Sequence, residues 1–220
     1  MAVPRRYRGT DVASIQRKAA GKEITAPEIS GWEWPELDLV DPRVGGAPRA
    51  QRDALALLAV FIQHTDSKAE QQRLLCLDSP ATREEEYDGT CHASVMMVHD
   101  LGLTFGHANT FNRNTIGSTN LEQWSSTPVW TFTTGRCVAN MPASQTGTLN
   151  NPLITEEGRT FLADLLMQLT DAQLHDLFEV SRFPRRGTLS PASPDTSTVA
   201  QWVDAFKKKR TEIVNRTCPF

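Results

Sequence analysis

Apolar positions recur along this chain with two periods. Between residues 51 and 63, Leu55, Leu58, Ala59 and Ile62 fall at i, i+3, i+4 and i+7, the spacing of one helix face. Leu57, Val60 and Phe61 widen that stripe, which predicts a helix deep in the core. Residues 73–77, RLLCL, and 94–98, SVMMV, are short runs rich in Leu, Val and Met. The polar, turn-rich stretch SPATREEEYDGTCH lies between them. This order predicts two strands of a β-hairpin, with the acidic run Glu84–Glu85–Glu86 solvated in its loop. In the last third, Thr155-Glu156-Glu157 opens a helix with acids in its first turn. Its expected buried face is Phe161, Leu162, Leu165, Leu166 and Leu169. Thr170 and Gln173 form a capping box, so a second helix starts at once and buries Leu174, Leu177 and Phe178, with Val180 at its end. Met167 and His175 are expected in the core or at its flank. A proline-rich break, FPRRGTLSPASPDTS, precedes a last helix over about 198–215 that buries Val199, Trp202, Val203, Phe206 and Ile213. The elements add up to a mainly helical α+β domain.

The rest of the chain is less regular. Residues 1–50 read as an N-terminal arm or linker and 51–220 as the main domain. The arm begins basic, with Arg5, Arg6, Arg8, Arg17, Lys18 and Lys22, and continues through GWEWPELD and DPRVGGAPRA. Trp32 and Trp34 are expected on the surface of the main domain. Residues 107–152 are long, polar and studded with Trp124, Trp130 and Phe132, which reads as an ordered loop pinned by aromatic anchors; Asn109, Asn112 and Asn114 suit hydrogen-bonded turns.

Composition narrows the function classes. The formal net charge is −3 in 220 residues, so nothing global favours nucleic acid or an anionic membrane. The run Lys207–Arg210 reads as a solvated helix face. No apolar run is long enough to span a bilayer, and MAVPRRYRG has no apolar stretch behind it of the kind a secretory signal needs. The expectation is a cytoplasmic protein without a membrane partner. Four cysteines, Cys76, Cys91, Cys137 and Cys218, are scattered without a CxxC. Reduced, mostly buried thiols are the default, and a Cys76–Cys91 bridge across the hairpin stays open. Asn215-Arg216-Thr217 has the form of a glycosylation sequon, meaningful only for an exported eukaryotic protein.

Candidate chemistry concentrates between His64 and Gly106. Asp66 and Asp100 each follow an apolar run and precede polar or glycine residues. A carboxylate at the end of a buried element, facing a loop, is rigidly held and open on one side. The plain alternative makes Asp66 a cap and Asp100 the start of a turn before Gly102. The hairpin places both carboxylates at the same end of its two strands. The negative pole at the C-terminal end of the first helix favours a nearby cation, whether Lys68, Arg73 or a metal.

The order D-x-K-x-x-(N/Q), hairpin, apolar strand, D-x-G resembles the active-site half of the protein-kinase-like fold. HTDSKAEQQ is similar to its catalytic loop and VHDLGLTFG to its metal-binding DFG-type segment. The likeness is greatest to the atypical branches: phosphoinositide kinases, HipA-type kinases, secretory-pathway kinases, and a bacterial family with D-x-K-x-x-N followed by HDLG-TFG. The resemblance covers about residues 51–180 and implies a kinase C-lobe in which a small β-hairpin carries the site. It implies an ATP/Mg²⁺-dependent phosphotransferase whose partners are the nucleotide and an acceptor it does not identify. Asp66 then matches the catalytic aspartate that takes or orients the acceptor's proton. Lys68 offsets charge on the transferred phosphate and so contacts the nucleotide. Gln71 stands where the family has its cofactor- and metal-holding asparagine, and Asp100 matches the Mg²⁺-binding aspartate. Such a reaction needs positioning, hard oxygen ligands and cations more than covalent help. Residues 1–50 are too short for the family's N-terminal lobe with its glycine-rich loop and strand-borne lysine. The implied protein is therefore a C-lobe alone, truncated, inactive or without the usual lid; Lys18 and Lys22 would belong to the edge of the absent lobe or its linker.

Two alternatives use the same residues. His99-Asp100-Leu101-Gly102 resembles the HDIGK signature of HD-type metal phosphohydrolases, with His64 as the upstream histidine. That reading needs a helix over 93–99. The other alternative is a non-catalytic interaction module with a kinase-like fold.

Overall fold

The computed structural model describes residues 19–25, 31–78, 91–106, 119–141, 147–184 and 197–219. The basic start through Lys18, the acidic run Glu84–Glu86, the three asparagines 109, 112 and 114, and most of the proline-rich break lie outside these residues.

The architecture is α+β, mostly helical with two small antiparallel sheets. In chain order it runs β1 (Lys22–Glu23), α1 (Arg49–Phe61), β2 (Gln72–Cys76), β3 (Ser94–Val98), α2 (Leu121–Ser126), β4 (Cys137–Val138), β5 (Leu153–Ile154), α3 (Glu156–Met167), α4 (Asp171–Val180) and α5 (Val199–Val214). Short 3₁₀ turns at Trp34–Leu39 and Pro42–Val44 connect β1 to α1. The first sheet has the order β1-β2-β3. Its hairpin pairs Gln72 with Val98 and Cys76 with Ser94. β1 lies at its edge with Lys22 opposite Cys76, and Glu23 is ion-paired to Arg73.

The strands follow their sequence signals closely, but the helix faces are rotated from the expected ones. In α1 the sealed positions include Asp53, Ala54, Ala56, Leu57, Val60 and Phe61, while Leu55, Leu58 and Ile62 are only partly covered. α1 is packed mainly on α3, and that contact selects the 53-57-60 side. In α3, Leu162, Ala163 and Leu166 are buried while Phe161 and Leu165 remain exposed. In α4, Leu174 and Phe178 are buried and Leu177 and Val180 face outward. Met167 and His175 are exposed as well. The capping expectation for α4 holds, since Thr170 and Gln173 form the reciprocal box. α5 has the same device in Thr198 and Gln201.

Three further expectations need correction. Trp32 and Trp34 are not on the surface; they are 2% and 4% exposed and join the core with Leu37. The indole of Trp32 donates to Arg73 O on β2 at 3.2 Å, which draws the arm under the sheet. The run Lys207–Arg210 is a solvated face only in part: Lys208 is exposed and Lys207 pairs with Asp171 at the surface. Lys209 is 1% exposed, its Nζ donating to Thr127 O at 2.6 Å and lying 5.7 Å from the centre of the Trp124 ring. Arg210 donates to the carbonyls of Leu166 and Leu169 at the end of α3. These cations cap carbonyls at a helix end and in a loop. Finally, the cysteines are not free thiols. Cys76 is bonded to Cys91 and Cys137 to Cys218. The first is the hairpin bridge that adjacency left open; the second joins positions 81 residues apart.

An aromatic cluster forms the centre. Trp124, Phe178, Phe183 and Trp202 surround Phe105, with Phe105 ring centroids 5.0 Å from both Trp124 and Phe183. Edge-on contacts of this kind add to area burial. Phe105 thereby fastens the segment after Asp100 into the core. Gly106 follows at φ 97°, where a Cβ would come within 2.2 Å of Asn120 O, so only glycine fits this crossing.

Candidate functional site

α1 ends in a Schellman turn. Gln63 takes the left-handed position at φ 53°, His64 N donates to Ala59 O at 2.8 Å, and Gln63 N donates to Val60 O at 3.0 Å. This is glycine's usual place, and a glutamine there gave no sequence signal. The turn delivers His64, Thr65 and Asp66 to the hairpin. The Thr65 hydroxyl donates to Leu103 O at 3.0 Å and Phe105 N to Ile62 O at 2.7 Å. The two loops that follow α1 and β3 are thus sewn together.

Asp66 and Asp100 meet through Gln71. The Gln71 side-chain amide donates to Asp66 Oδ2 at 3.1 Å. The Gln71 carbonyl accepts from His99 N at 2.8 Å and Asp100 N at 3.2 Å. Lys68 Nζ stands 3.7 Å from Asp66 Oδ1, and that oxygen is buried with no hydrogen-bond partner among the described residues. Asp100 Oδ1 accepts from Gly102 N at 2.7 Å, the turn bond of the plain alternative; its other oxygen is not used by that turn. Asp66, Lys68, Gln71 and Asp100 are therefore all at one end of the hairpin.

His64 lies behind this group. It is buried, and neither ring nitrogen has a hydrogen-bond partner among the described residues. Burial pushes its pKa down; the carboxylates of Asp66 and Asp100 and the Gly102 backbone oppose that push. Sequence reasoning did not find Ser67, Gln72 and Thr148. Ser67 is sealed, and its carbonyl accepts from the Gln72 side chain at 3.1 Å and from Thr148 N at 3.4 Å. Thr148 is too distant in sequence for any local pattern to indicate it.

The donor set consists of two carboxylates, one amide oxygen and one ammonium. These are hard oxygen ligands of the type Mg²⁺ takes with water completing its shell, so Asp66, Gln71 and Asp100 suit that ion in kind. Among the described residues, the three-ligand cluster of His, Cys, Asp or Glu that does form is elsewhere, at Cys76, Asp78 and Cys91, where the two sulfurs are bonded to each other. No protein-family model, curated protein or solved structure matches the chain.

Proposed function

We propose that the hairpin end is the site of an ATP/Mg²⁺-dependent phosphotransferase with a kinase-like C-lobe. One observation carries the reading: Gln71 ties Asp66 through its side chain and Asp100 through its carbonyl. The carboxylate of Asp66 and the backbone of Asp100 are both bonded to the residue that leads into β2. Asp66, held through Oδ2 by Gln71 and with Oδ1 beside Lys68, takes the proton of an acceptor hydroxyl. The hydroxyl oxygen forms the new bond to the terminal phosphorus as the bond to the nucleoside diphosphate breaks. Lys68, beside Asp66 Oδ1, offsets charge on the transferring oxygens. Asp100 and Gln71 would hold Mg²⁺, which would supply charge that offsets the phosphates. The partners on this reading are a nucleotide and a hydroxyl acceptor.

The phosphohydrolase alternative loses its structural premise, since Ser94–Val98 is a strand and not a helix. No helix among the described residues is long and apolar enough to cross a membrane.

The test is calorimetric titration of the folded chain with ATP, with and without Mg²⁺, beside Asp100→Ala. Metal-dependent binding abolished by the substitution is the expected result. No binding by a chain shown to be folded overturns the reading and leaves the non-catalytic module.

A further inference from the structure

The two disulfides differ in how their sulfurs are covered. Cys137 and Cys218 are each 1% exposed, so neither sulfur can be reached from solvent. In the other bond Cys76 is fully buried but Cys91 is partly open. Thiol–disulfide exchange needs a thiolate to reach one of the two sulfurs, and Cys91 alone offers that approach. The bond also has a strategic position. Cys76 ends the five-residue ladder of β2 and β3, and the other end of the ladder, at Gln72 and Val98, adjoins Gln71 and Asp100.

We propose that Cys76–Cys91 is a reducible clasp on this hairpin, opened and closed by a dithiol oxidoreductase entering at Cys91, while Cys137–Cys218 is a permanent staple. In opening, the partner's thiolate bonds to Cys91 Sγ as the bond to Cys76 Sγ breaks, and Cys76 leaves as a thiolate. The partner's second thiolate then attacks the mixed disulfide, the partner departs as its own disulfide, and Cys91 leaves as a thiolate. Both cysteines take protons from water. The reverse sequence installs the clasp, with the partner's disulfide as oxidant. Asp78 guards the bond: its Oδ1 lies 2.8 Å from Cys76 Sγ and 3.4 Å from Cys91 Sγ. Its negative charge opposes both an arriving and a departing thiolate. A chain with all four cysteines paired acquires those bonds in an oxidising compartment, in place of the cytoplasm expected from sequence. The inference makes no use of the phosphotransferase reading.

The test takes the full chain, purified without reductant, through graded dithiothreitol, with alkylation of free thiols and mass mapping. Cys76 and Cys91 become labelled at reductant concentrations roughly tenfold or more below those that open Cys137–Cys218, as the access argument requires. In that half-reduced form, amide exchange quickens in Gln72–Cys76 and Ser94–Val98 but not in Val199–Val214. Asp78→Asn opens the clasp several-fold faster. The proposal falls if the two pairs open together, if Cys137–Cys218 opens first, if hairpin exchange is unchanged, or if chain exported to an oxidising compartment carries free thiols.

Discussion

The carboxylate of Asp53, in the middle of α1, receives both the backbone N–H and the hydroxyl of Thr155, at 2.8 and 2.7 Å. The same hydroxyl caps α3 through Gly158 N, and Arg49 Nε completes the group at 2.5 Å from Asp53 Oδ1. A buried acid in an otherwise apolar helix face thus sets how α1 and α3 lie together.

Asp53→Ala leaves Arg49 and the Thr155 donors without their acceptor and is expected to cost about 3 kcal/mol. Gly158→Ala brings a methyl to 2.3 Å from Asp53 Cβ, an overpacking of about 1–3 kcal/mol. Urea midpoints at unchanged slope check both. A variant as stable as the parent would show that the α1–α3 contact is set elsewhere.

Burial lowers the pKa of Lys209 from 10.5 to about 8, with Lys208 adding to the fall and Glu212 opposing it. Between those values the unfolded chain holds a proton that the folded chain has released. Stability therefore rises with pH from about 8 to 10.5, by up to ~3 kcal/mol. Lys209→Met keeps the stem and removes the titration. Stability curves over pH 7–11 should keep this rise in the parent and lose it in the variant; parallel curves would refute the assignment.

His64 shifts the same way for the same cause. Its folded pKa is below 6.5, so the unfolded chain takes up the proton first as the medium is acidified. The contribution of neutral His64 is complete above 6.5 and declines as pH falls from there towards the folded value. Proton NMR of the imidazole C2–H is the direct check: a titration midpoint at or above 6.5 contradicts the burial argument.

The Cys137–Cys218 bond closes a loop across 81 residues of sequence. On the chain-entropy model its removal costs about 4–5 kcal/mol. The double variant Cys137→Ser/Cys218→Ser should melt well below the parent, and reductant strong enough to open this pair in the parent, which also opens Cys76–Cys91, should lower the melting point at least as far.

The parts of this fold legible in the sequence are those fixed by neighbours in the chain. Strand 94–98 needed only its own residues, and the α4 cap needed only Thr170 and Gln173. The burial of Lys209, Trp32 and Trp34 depends on elements far away in sequence, and their types suggested surface or linker. Periodicity located α1 and α3 but not which flank of each stripe faces the partner, because Leu55, Phe161 and Leu165 are as apolar as the residues that win. At the site, Asp66, Lys68, Gln71 and Asp100 were named from motif order, and the hairpin does gather them. The Gln71 bonds that join them needed coordinates, as did the burial of His64 and the support of Ser67 by Thr148. The pairing of Cys137 with Cys218 left no local trace at all.

The tail is tied back at several points. Cys218 N donates to Glu156 at the start of α3, Arg159 holds the carbonyls of Ile213 and Val214, and Cys218 is bonded to Cys137. A nascent chain on the ribosome cannot make these contacts until residue 218 has emerged. The bond to Cys137 and the contact with Glu156 are therefore made late in synthesis, after the segments they join.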